Sequence, residues 1–378
     1  MRLQGVAGGS VRRYDGRQRE SFNGGNIAID RRDLIAGPSA TDVIGGIDLP
    51  FETAIRSRFT DAGVFAQADA TWGRLNVALG GRFDRYDLTG RDDGTVVFGA
   101  VSGKTYSAGD GDFSFTSSVA YQLPFGLRPY LTWAETSALE VGQAGGVAPG
   151  LIDSGGWLSK SRLLEAGVKA RLFSDAITGS VATYRQTRTR LGEFNAVSAT
   201  RGEGVEAEVR WLASRTLSFT AAAAVQRTTV RGPDGSFIVI PPSTVGVAPA
   251  NAYGGSYAVY ALSQLVPGDY TDTLVPRTTA SLYAVYTSER HQWGRAGATA
   301  GVRYVSQTSG VIPGAVRFPD YATISASGFV ERGPWRVSLN VDNLTDELFF
   351  IPVADVYANV AALPGEGRTW RLGLKRSF

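Results

Sequence analysis

Apolar and polar side chains alternate at every second position over long stretches of this chain, and this pattern constrains its fold more than any other feature. Near the C-terminus, apolar Trp370, Leu372 and Leu374 alternate with polar Arg371 and Lys375. Successive side chains of a β-strand point to opposite faces, so this segment is predicted to be a strand with one apolar and one polar face. A helix of about 3.6 residues per turn would scatter the same apolar residues around its surface.

The same alternation recurs along the whole chain and predicts about fourteen strands. Charged residues on the polar faces are too frequent for a packed soluble core. They suit a water-filled lumen enclosed by strands whose outer face meets lipid. Most of the segments are long enough for a tilted strand to cross a bilayer, so we expect an all-β, antiparallel transmembrane β-barrel. The strands are predicted at residues 2–14, 59–72, 74–90, 110–123, 127–138, 159–173, 177–192, 200–213, 217–230, 275–287, 295–308, 319–332, 335–347 and 367–378.

The predicted connections alternate between tight turns and long loops. Tight turns are predicted at Gly73, at 214–216 and at 333–334. Short turns on the periplasmic side and long loops on the extracellular side are typical of outer-membrane barrels. The long loops are predicted at 15–58, 91–109, 139–158, 193–199, 231–274, 309–318 and 348–366.

Aromatic residues gather near the ends of the predicted strands. Rings with a polar edge favour the headgroup level of a membrane, so these residues are expected to form two girdles around the barrel. They are Trp72, Tyr86, Tyr121, Tyr130, Trp133, Trp211, Tyr283, Tyr286, Tyr304, Trp335 and Trp370.

The composition argues against enzymatic chemistry and against nucleic-acid binding. The chain has no Cys and only one His, His291, which removes thiolate nucleophiles, cysteine-ligated metals and most imidazole chemistry. A net charge of +3 is small for 378 residues, and the Lys and Arg residues are spread along the chain. We therefore expect no catalytic residue, no metal site, no cofactor and no nucleic-acid partner.

Several motifs resemble the barrel of TonB-dependent receptors. The residues from Asn343 to Phe350 read Asn-Leu-Thr-Asp-Glu-Leu-Phe-Phe, and a Pro-Gly-Glu-Gly-Arg stretch at 364–368 precedes a last strand that ends in Phe378. This order resembles the closing segment of that family. The stretches at 80–86, 165–169 and 201–208 resemble barrel strands of its ferric-siderophore branch.

The resemblance implies an outer-membrane protein of a Gram-negative bacterium, from a family of barrels with about 22 strands and a plugged lumen. Residues 1–378 would then be part of the barrel domain only, without the plug or the short segment that contacts TonB. Nor is a signal peptide visible, so the N-terminus is not expected to be that of a complete precursor. The implied function is uptake of siderophore-bound iron or a similar scarce nutrient. The implied partners are outer-membrane lipid, the barrel-assembly machinery, a ferric siderophore or similar small ligand, and TonB through the missing N-terminal region.

A self-contained, porin-like diffusion channel of fourteen strands is the alternative. A closed barrel requires its first and last strands to pair, because an open sheet edge would expose unsatisfied backbone groups to lipid. Pairing of segment 2–14 with segment 367–378 would favour the channel, and an open edge would favour part of a larger barrel.

Two groups of candidate site residues follow. Aromatic rings in the long loops could stack on a flat or catecholate ligand and arginines could meet its negative charge, although loop tyrosines could equally pack on one another over the barrel mouth. The candidate ligand-binding residues are Tyr253, Tyr257, Tyr260, Tyr270, Trp157, Arg303 and Arg317. The resemblance also implies that the last strand carries the signal for barrel assembly, in Trp370, Leu372, Leu374 and Phe378.

Overall fold

The computed structural model describes most of the chain as β-strand. The described residues are 1–23, 50–93, 103–141, 146–191, 197–231, 237–240, 258–261, 268–310, 317–352 and 362–377. Within them, no helix combines the length and the apolar character needed to cross a membrane.

One antiparallel sheet contains fourteen long strands that follow one another in chain order. They are β1 (Arg2–Asn23), β2 (Pro50–Trp72), β3 (Leu75–Asp92), β4 (Thr105–Tyr121), β5 (Leu127–Leu139), β6 (Leu158–Leu172), β7 (Ile177–Leu191), β8 (Val197–Leu212), β9 (Leu217–Arg231), β13 (Thr278–Thr287), β14 (Arg295–Val305), β17 (Tyr321–Arg332), β18 (Trp335–Asp342) and β21 (Thr369–Arg376).

Short elements lie in the longer connections. A single-turn 3-10 helix (Pro124–Gly126) joins β4 to β5, and one short helix, α1 (Pro149–Ser154), lies between β5 and β6. β12 (Tyr270–Thr271) pairs with β9. Three small hairpins are formed by β10 (Phe237–Ile240) with β11 (Ala258–Ala261), β15 (Thr308–Ser309) with β16 (Arg317–Phe318), and β19 (Phe350–Pro352) with β20 (Ala362–Pro364).

The all-β, antiparallel prediction is confirmed, and each predicted strand coincides with a long strand of the sheet. The largest error concerns the predicted loop 15–58. β1 and β2 continue through both of its ends, up to the pair Asn23 and Pro50. Where a strand leaves the membrane both faces meet water, so it no longer needs one apolar face and the alternation that revealed the strand fades.

The apolar rows predicted for the outer face are indeed exposed. Leu79, Val181 and Leu339 are between 42% and 56% exposed, although each lies within a long paired strand. Apolar side chains exposed in continuous rows are unusual on a soluble protein. They are expected where the surface meets hydrocarbon.

Three aromatic residues predicted for the girdles lie on the inner face instead. Tyr86 lies three positions along β3 from outward Phe83, so its side chain points to the opposite, inner face, and it is buried. The Tyr130 hydroxyl donates a 2.7 Å hydrogen bond to inward Glu165. Tyr283 covers Gly301 on the face opposite to outward Leu282. Aromatic character suggested a girdle, but strand parity decides which face a side chain occupies.

The tight turns confirm the predicted connections on the short-turn side. Trp72 pairs with Leu75 around a turn in which Gly73 has a φ of +60°. Arg332 pairs with Trp335 around Gly333, whose φ is +56°. Two-residue hairpin turns need this left-handed conformation, which glycine adopts without a steric penalty.

The two end strands of the sheet each have a single partner among the described residues. β1 pairs with β2, and β21 pairs with β18. The channel alternative requires a seam between β1 and β21, and the described strands do not form one. The sheet is therefore an open arc of a barrel wall.

Charge placed on the outer face tests the assignment of faces. Val181→Arg points a charge at hydrocarbon, whereas Ala182→Arg points one at the lumen beside Glu206. We expect Val181→Arg to lower the free energy of unfolding by about 2–4 kcal/mol in lipid vesicles, and Ala182→Arg to change it little. Equal effects of the two substitutions in urea titrations would contradict the assignment.

Candidate ligand site on the inner wall

The inner wall changes character along β2 and β3. In the middle of the strands the inward side chains are charged, as at Asp61 and Asp84. Towards the end that carries the long loops, the inward positions become Phe59, Tyr86 and Leu88, all three of which are buried. Apolar groups on the wall of a wet lumen need a cover, because exposing them to water is unfavourable.

The connection between β5 and β6 supplies that cover. Its helix α1 and the residues before it turn inward, and Val147 and Leu151 are completely buried against Phe59, Tyr86 and Leu88. The backbone N–H of Val147 donates a 2.9 Å hydrogen bond to the Ser57 hydroxyl oxygen on β2. Residues 139–158 are predicted from the sequence as a long extracellular loop, and their inward packing has no signal in the alternating pattern.

A glycine on β3 makes the close approach of α1 feasible. A Cβ atom built on Gly90 would lie 2.8 Å from the Cδ1 atom of Ile152. Even an alanine at this position would therefore require the Ile152 side chain to move.

Beside this packed region, the inner wall holds two neighbouring ion pairs. Arg12 on β1 lies 3.1 Å from the carboxylate of Asp61. On β3, Nε of Arg82 donates a 2.7 Å hydrogen bond to Asp84. Tyr14 stacks on Phe59 with ring centroids 5.2 Å apart.

These groups line a cavity of about 570 Å³, whose wall includes Arg12, Tyr14, Asp61, Arg82, Asp84 and Tyr86. The volume lies in the range of small-molecule pockets, roughly 300–1,000 Å³. The paired charges and the tyrosine hydroxyl groups offer hydrogen-bond donors and acceptors to a polar ligand. Because the charges are paired, the wall itself carries little net charge.

A second charged network joins β4, β5 and β6 beside inward Asp112. Lys160 lies 3.0 Å from Asp112 and 3.3 Å from Glu135. Nε of Arg162 lies 2.6 Å from the same Glu135. Three neighbouring strands therefore carry matched charges at the end of the sheet that bears the long loops.

The predicted ligand residues do not gather at one place. Trp157 is only 6% exposed and meets Tyr86 edge to face, with ring centroids 6.2 Å apart, so stacking on a ligand would require the loop to move. Tyr270 is buried where β12 pairs with β9. Arg303 on β14 and Arg317 in β16 are exposed, far from Trp157 along the sheet.

The other predicted loop tyrosines lie largely outside the described residues. Tyr253 and Tyr257 are not among them, and for Tyr260 only the backbone is described, paired with Ile238 in the β10–β11 hairpin. The roles proposed for all seven residues stay predictions. The cavity residues Arg12, Asp61, Arg82 and Asp84 were missed as a site, because inward charge along a barrel strand has no distinguishing pattern.

The closing motif has a clear structural role. Asn343 is 5% exposed, and its Nδ2 donates hydrogen bonds of 2.9 and 3.0 Å to the carbonyl oxygens of Glu347 and Glu366. Its Oδ1 accepts a 2.8 Å bond from the Glu347 N–H. Asp346 accepts a 2.8 Å bond from the Arg368 N–H. The motif therefore ties the turn after β18 to the segment that leads into β21.

On β21 itself, the predicted assembly signal is described in part. Trp370, Leu372 and Leu374 lie on the outer face and are between 59% and 79% exposed. Phe378 lies outside the described residues.

The sheet, with its apolar outer face and the charged residues on its inner face, has the architecture of an outer-membrane barrel wall. Residues 4–344 match the family model described as the TonB-dependent receptor-like β-barrel. The chain belongs to this family, which places it in the outer membrane of a Gram-negative bacterium.

One relative is similar to this chain in sequence, and two solved structures are similar to it in fold. The ferrichrome outer membrane transporter and phage receptor of Escherichia coli (strain K12) is 24% identical over 311 residues, which cover 80% of this chain and 36% of that protein. The siderophore receptor PiuA from Acinetobacter baumannii has a TM-score of 0.67 at 14% identity, over 99% of this chain and 53% of that one. The ferric yersiniabactin uptake receptor FyuA from Yersinia pestis has a TM-score of 0.66 at 16% identity, over 100% of this chain and 51% of that one. The chain thus spans about half the length of these solved structures.

Asn343 provides a test of the closing motif. Asn343→Gly keeps the left-handed backbone, whose φ is 50°, but removes the amide and with it the three hydrogen bonds to the backbone of Glu347 and Glu366. We expect a loss of about 1–3 kcal/mol in unfolding free energy and faster proteolysis between β18 and β21. Asn340→Gly, on the exposed inner face of β18, is the control and is expected to have a smaller effect. Similar proteolysis of both variants would contradict this role.

Proposed function

We propose that this chain is the barrel portion of a TonB-dependent receptor that takes up a ferric siderophore, or a similarly scarce nutrient, across the outer membrane. The observation that carries the proposal is the family match over residues 4–344, together with a relative named as a ferrichrome transporter. We further propose that the chain is not an enzyme and that coupling to TonB uses a plug-bearing region other than the strands described here.

The inner wall supports a transport role. Four charged side chains around the cavity are held in two ion pairs, Arg12 with Asp61 and Arg82 with Asp84. Groups neutralised in this way hydrogen-bond a polar solute without trapping it as strongly as an unpaired buried charge would. A solute that must be released after capture benefits from such a wall.

For capture at the mouth, we propose Tyr253, Tyr257, Tyr260 and Tyr270 as ring contacts, with Arg303 and Arg317 as partners for a negatively charged chelate. The exposed positions of both arginines support their part in this proposal. Trp157 keeps a ligand role only if the connection that carries it leaves the inner wall.

Replacement of the four loop tyrosines tests capture. In the natural full-length protein, we expect serine at all four positions to weaken binding of the ferric ligand roughly tenfold or more, because each ring contact contributes about 0.5–1.5 kcal/mol. The measurement is uptake of iron-55 chelates by iron-starved cells with and without TonB. The control replaces outer-face Tyr121 and Tyr286 with serine.

Unchanged uptake in the fourfold variant would remove the tyrosines from the proposal while leaving transport intact. Uptake that is equal with and without TonB would overturn the transport proposal itself.

The C-terminal residue tests the proposed role in assembly. Deletion of Phe378 is expected to reduce the amount of folded protein in the outer membrane, because the last strand with its final aromatic residue is proposed to be read by the barrel-assembly machinery. Heat-modifiable migration on gels of purified outer membranes measures the folded fraction. Substitution of Leu348, an exposed loop residue, by alanine is the control. Normal insertion without Phe378 would contradict the proposal.

A further inference from the structure

The residues from Gly146 to Trp157, here named the docked segment, are unusual for a connection at the mouth of a barrel. Val147 and Leu151 are completely buried, while Ile152 and Trp157 are each 6% exposed. A connection that merely crosses the surface would leave such side chains in water. Most of the apolar core formed by the described residues lies where this segment meets the inner wall.

The strands are adapted to receive the segment. Inward positions in the middle of the same strands include the charged residues Asp61 and Asp84, but Phe59, Tyr86 and Leu88 form an apolar platform beneath the segment. Gly90 leaves the space that Ile152 fills. Because the platform lies on the strands and its cover on the connection, the two surfaces are complementary parts of one packed unit.

Hydrogen bonds fix the segment at both ends. Near its start, the Val147 N–H donates to Ser57 in a buried environment. At its end, the carbonyl oxygen of Trp157 accepts a 2.9 Å bond from the Glu140 N–H, which closes the base of the connection. Between them, α1 ends at Gly155, whose left-handed φ of 74° and N–H bond to the Ile152 carbonyl terminate the helix.

The docked segment adjoins the inner-wall cavity. Tyr86 belongs to the cavity lining and also to the platform that contacts Trp157. Leu139 and Val141, at the base of the same connection, line the cavity as well. A solute that enters the cavity from the mouth must therefore pass alongside this segment.

We propose that the docked segment is a fixed constriction of the lumen that limits the size of the polar ligands reaching the Arg12–Asp61 and Arg82–Asp84 pairs. The proposal rests on the proposed transport function for its ligand, but not for the docking itself. If the docked segment is a fixed constriction, it stays in place while the ligand binds and passes. A lid, in contrast, would have to open for each ligand.

An engineered disulfide between Ser57 and Gly146 distinguishes a wall from a lid. A Cβ atom built on Gly146 lies 3.0 Å from the Cβ of Ser57, close to the roughly 3.5–4.5 Å of a disulfide. The chain has no Cys, so no native thiol competes. Ser57→Cys with Gly146→Cys is made in the natural full-length protein and oxidised with copper–phenanthroline, and the two single variants are the controls.

We expect the double variant to cross-link almost completely, and uptake of iron-55 chelates to be the same before and after reduction. Failure to cross-link in the folded barrel would overturn the docked position. Cross-linking that stops uptake until a reductant is added would show a moving lid and would overturn the fixed constriction. If even the unaltered protein takes up no chelate, the transport proposal fails, and cross-linking still reports on docking.

A second variant tests the effect on ligand size. Leu151→Asp places a charge at a completely buried position and is expected to release the segment, so that cross-linking in the Cys pair drops to a small fraction. A bulky chelate that competes poorly in the parent should then compete nearly as well as a small one. Leu348→Asp, at a 72% exposed loop position, is the matched control. Release of the segment without any change in size preference would contradict its role as a constriction.

Discussion

Every backbone N–H and C=O group that crosses hydrocarbon must find a partner within the protein, because lipid offers none. The fourteen long strands meet this requirement by pairing with their neighbours in chain order. Pairing in turn fixes the direction of each side chain, and so forces the period of two that is visible in the sequence. The apolar outer rows and the charged inner wall are both consequences of this one constraint.

Where β2 and β3 leave the membrane, the inward side chains are apolar and not charged. Phe59, Tyr86 and Leu88 point inward there and are covered by the segment that contains α1. Next to them, ion pairs line a cavity of about 570 Å³. Neighbouring inward residues of β2 and β3 thus have two roles. Phe59, Tyr86 and Leu88 hold the connection in place, and Asp61 and Asp84 present polar groups to a solute. This links the packing of the wall to its proposed selectivity.

Those parts of the fold that follow from local alternation could be predicted from the sequence, and those that depend on distant contacts could not. The alternation of apolar and polar residues around Leu339 and Leu372 predicted these strands and identified their outer face. The inward packing of Leu151 could not be seen, because an apolar residue in a loop has no periodicity to show what it contacts. Tyr86 was misplaced for a related reason, since its ring suggested the membrane interface while its parity placed it inside. Asn343 was recognised only as part of a motif, and its hydrogen bonds to Glu347 and Glu366 explain why an amide stands there.

Accessibility of successive positions on β18 is the most direct test of the alternating faces. Nitroxide labels are attached one at a time at Val337, Ser338, Leu339 and Asn340 in lipid vesicles, and collisions with oxygen and with a water-soluble nickel chelate are measured. The labels at Val337 and Leu339 are predicted to collide preferentially with oxygen, and those at Ser338 and Asn340 with the nickel chelate. Equal accessibility along the strand, or exclusion of both reagents from Val337 and Leu339, would contradict a lipid-facing outer wall.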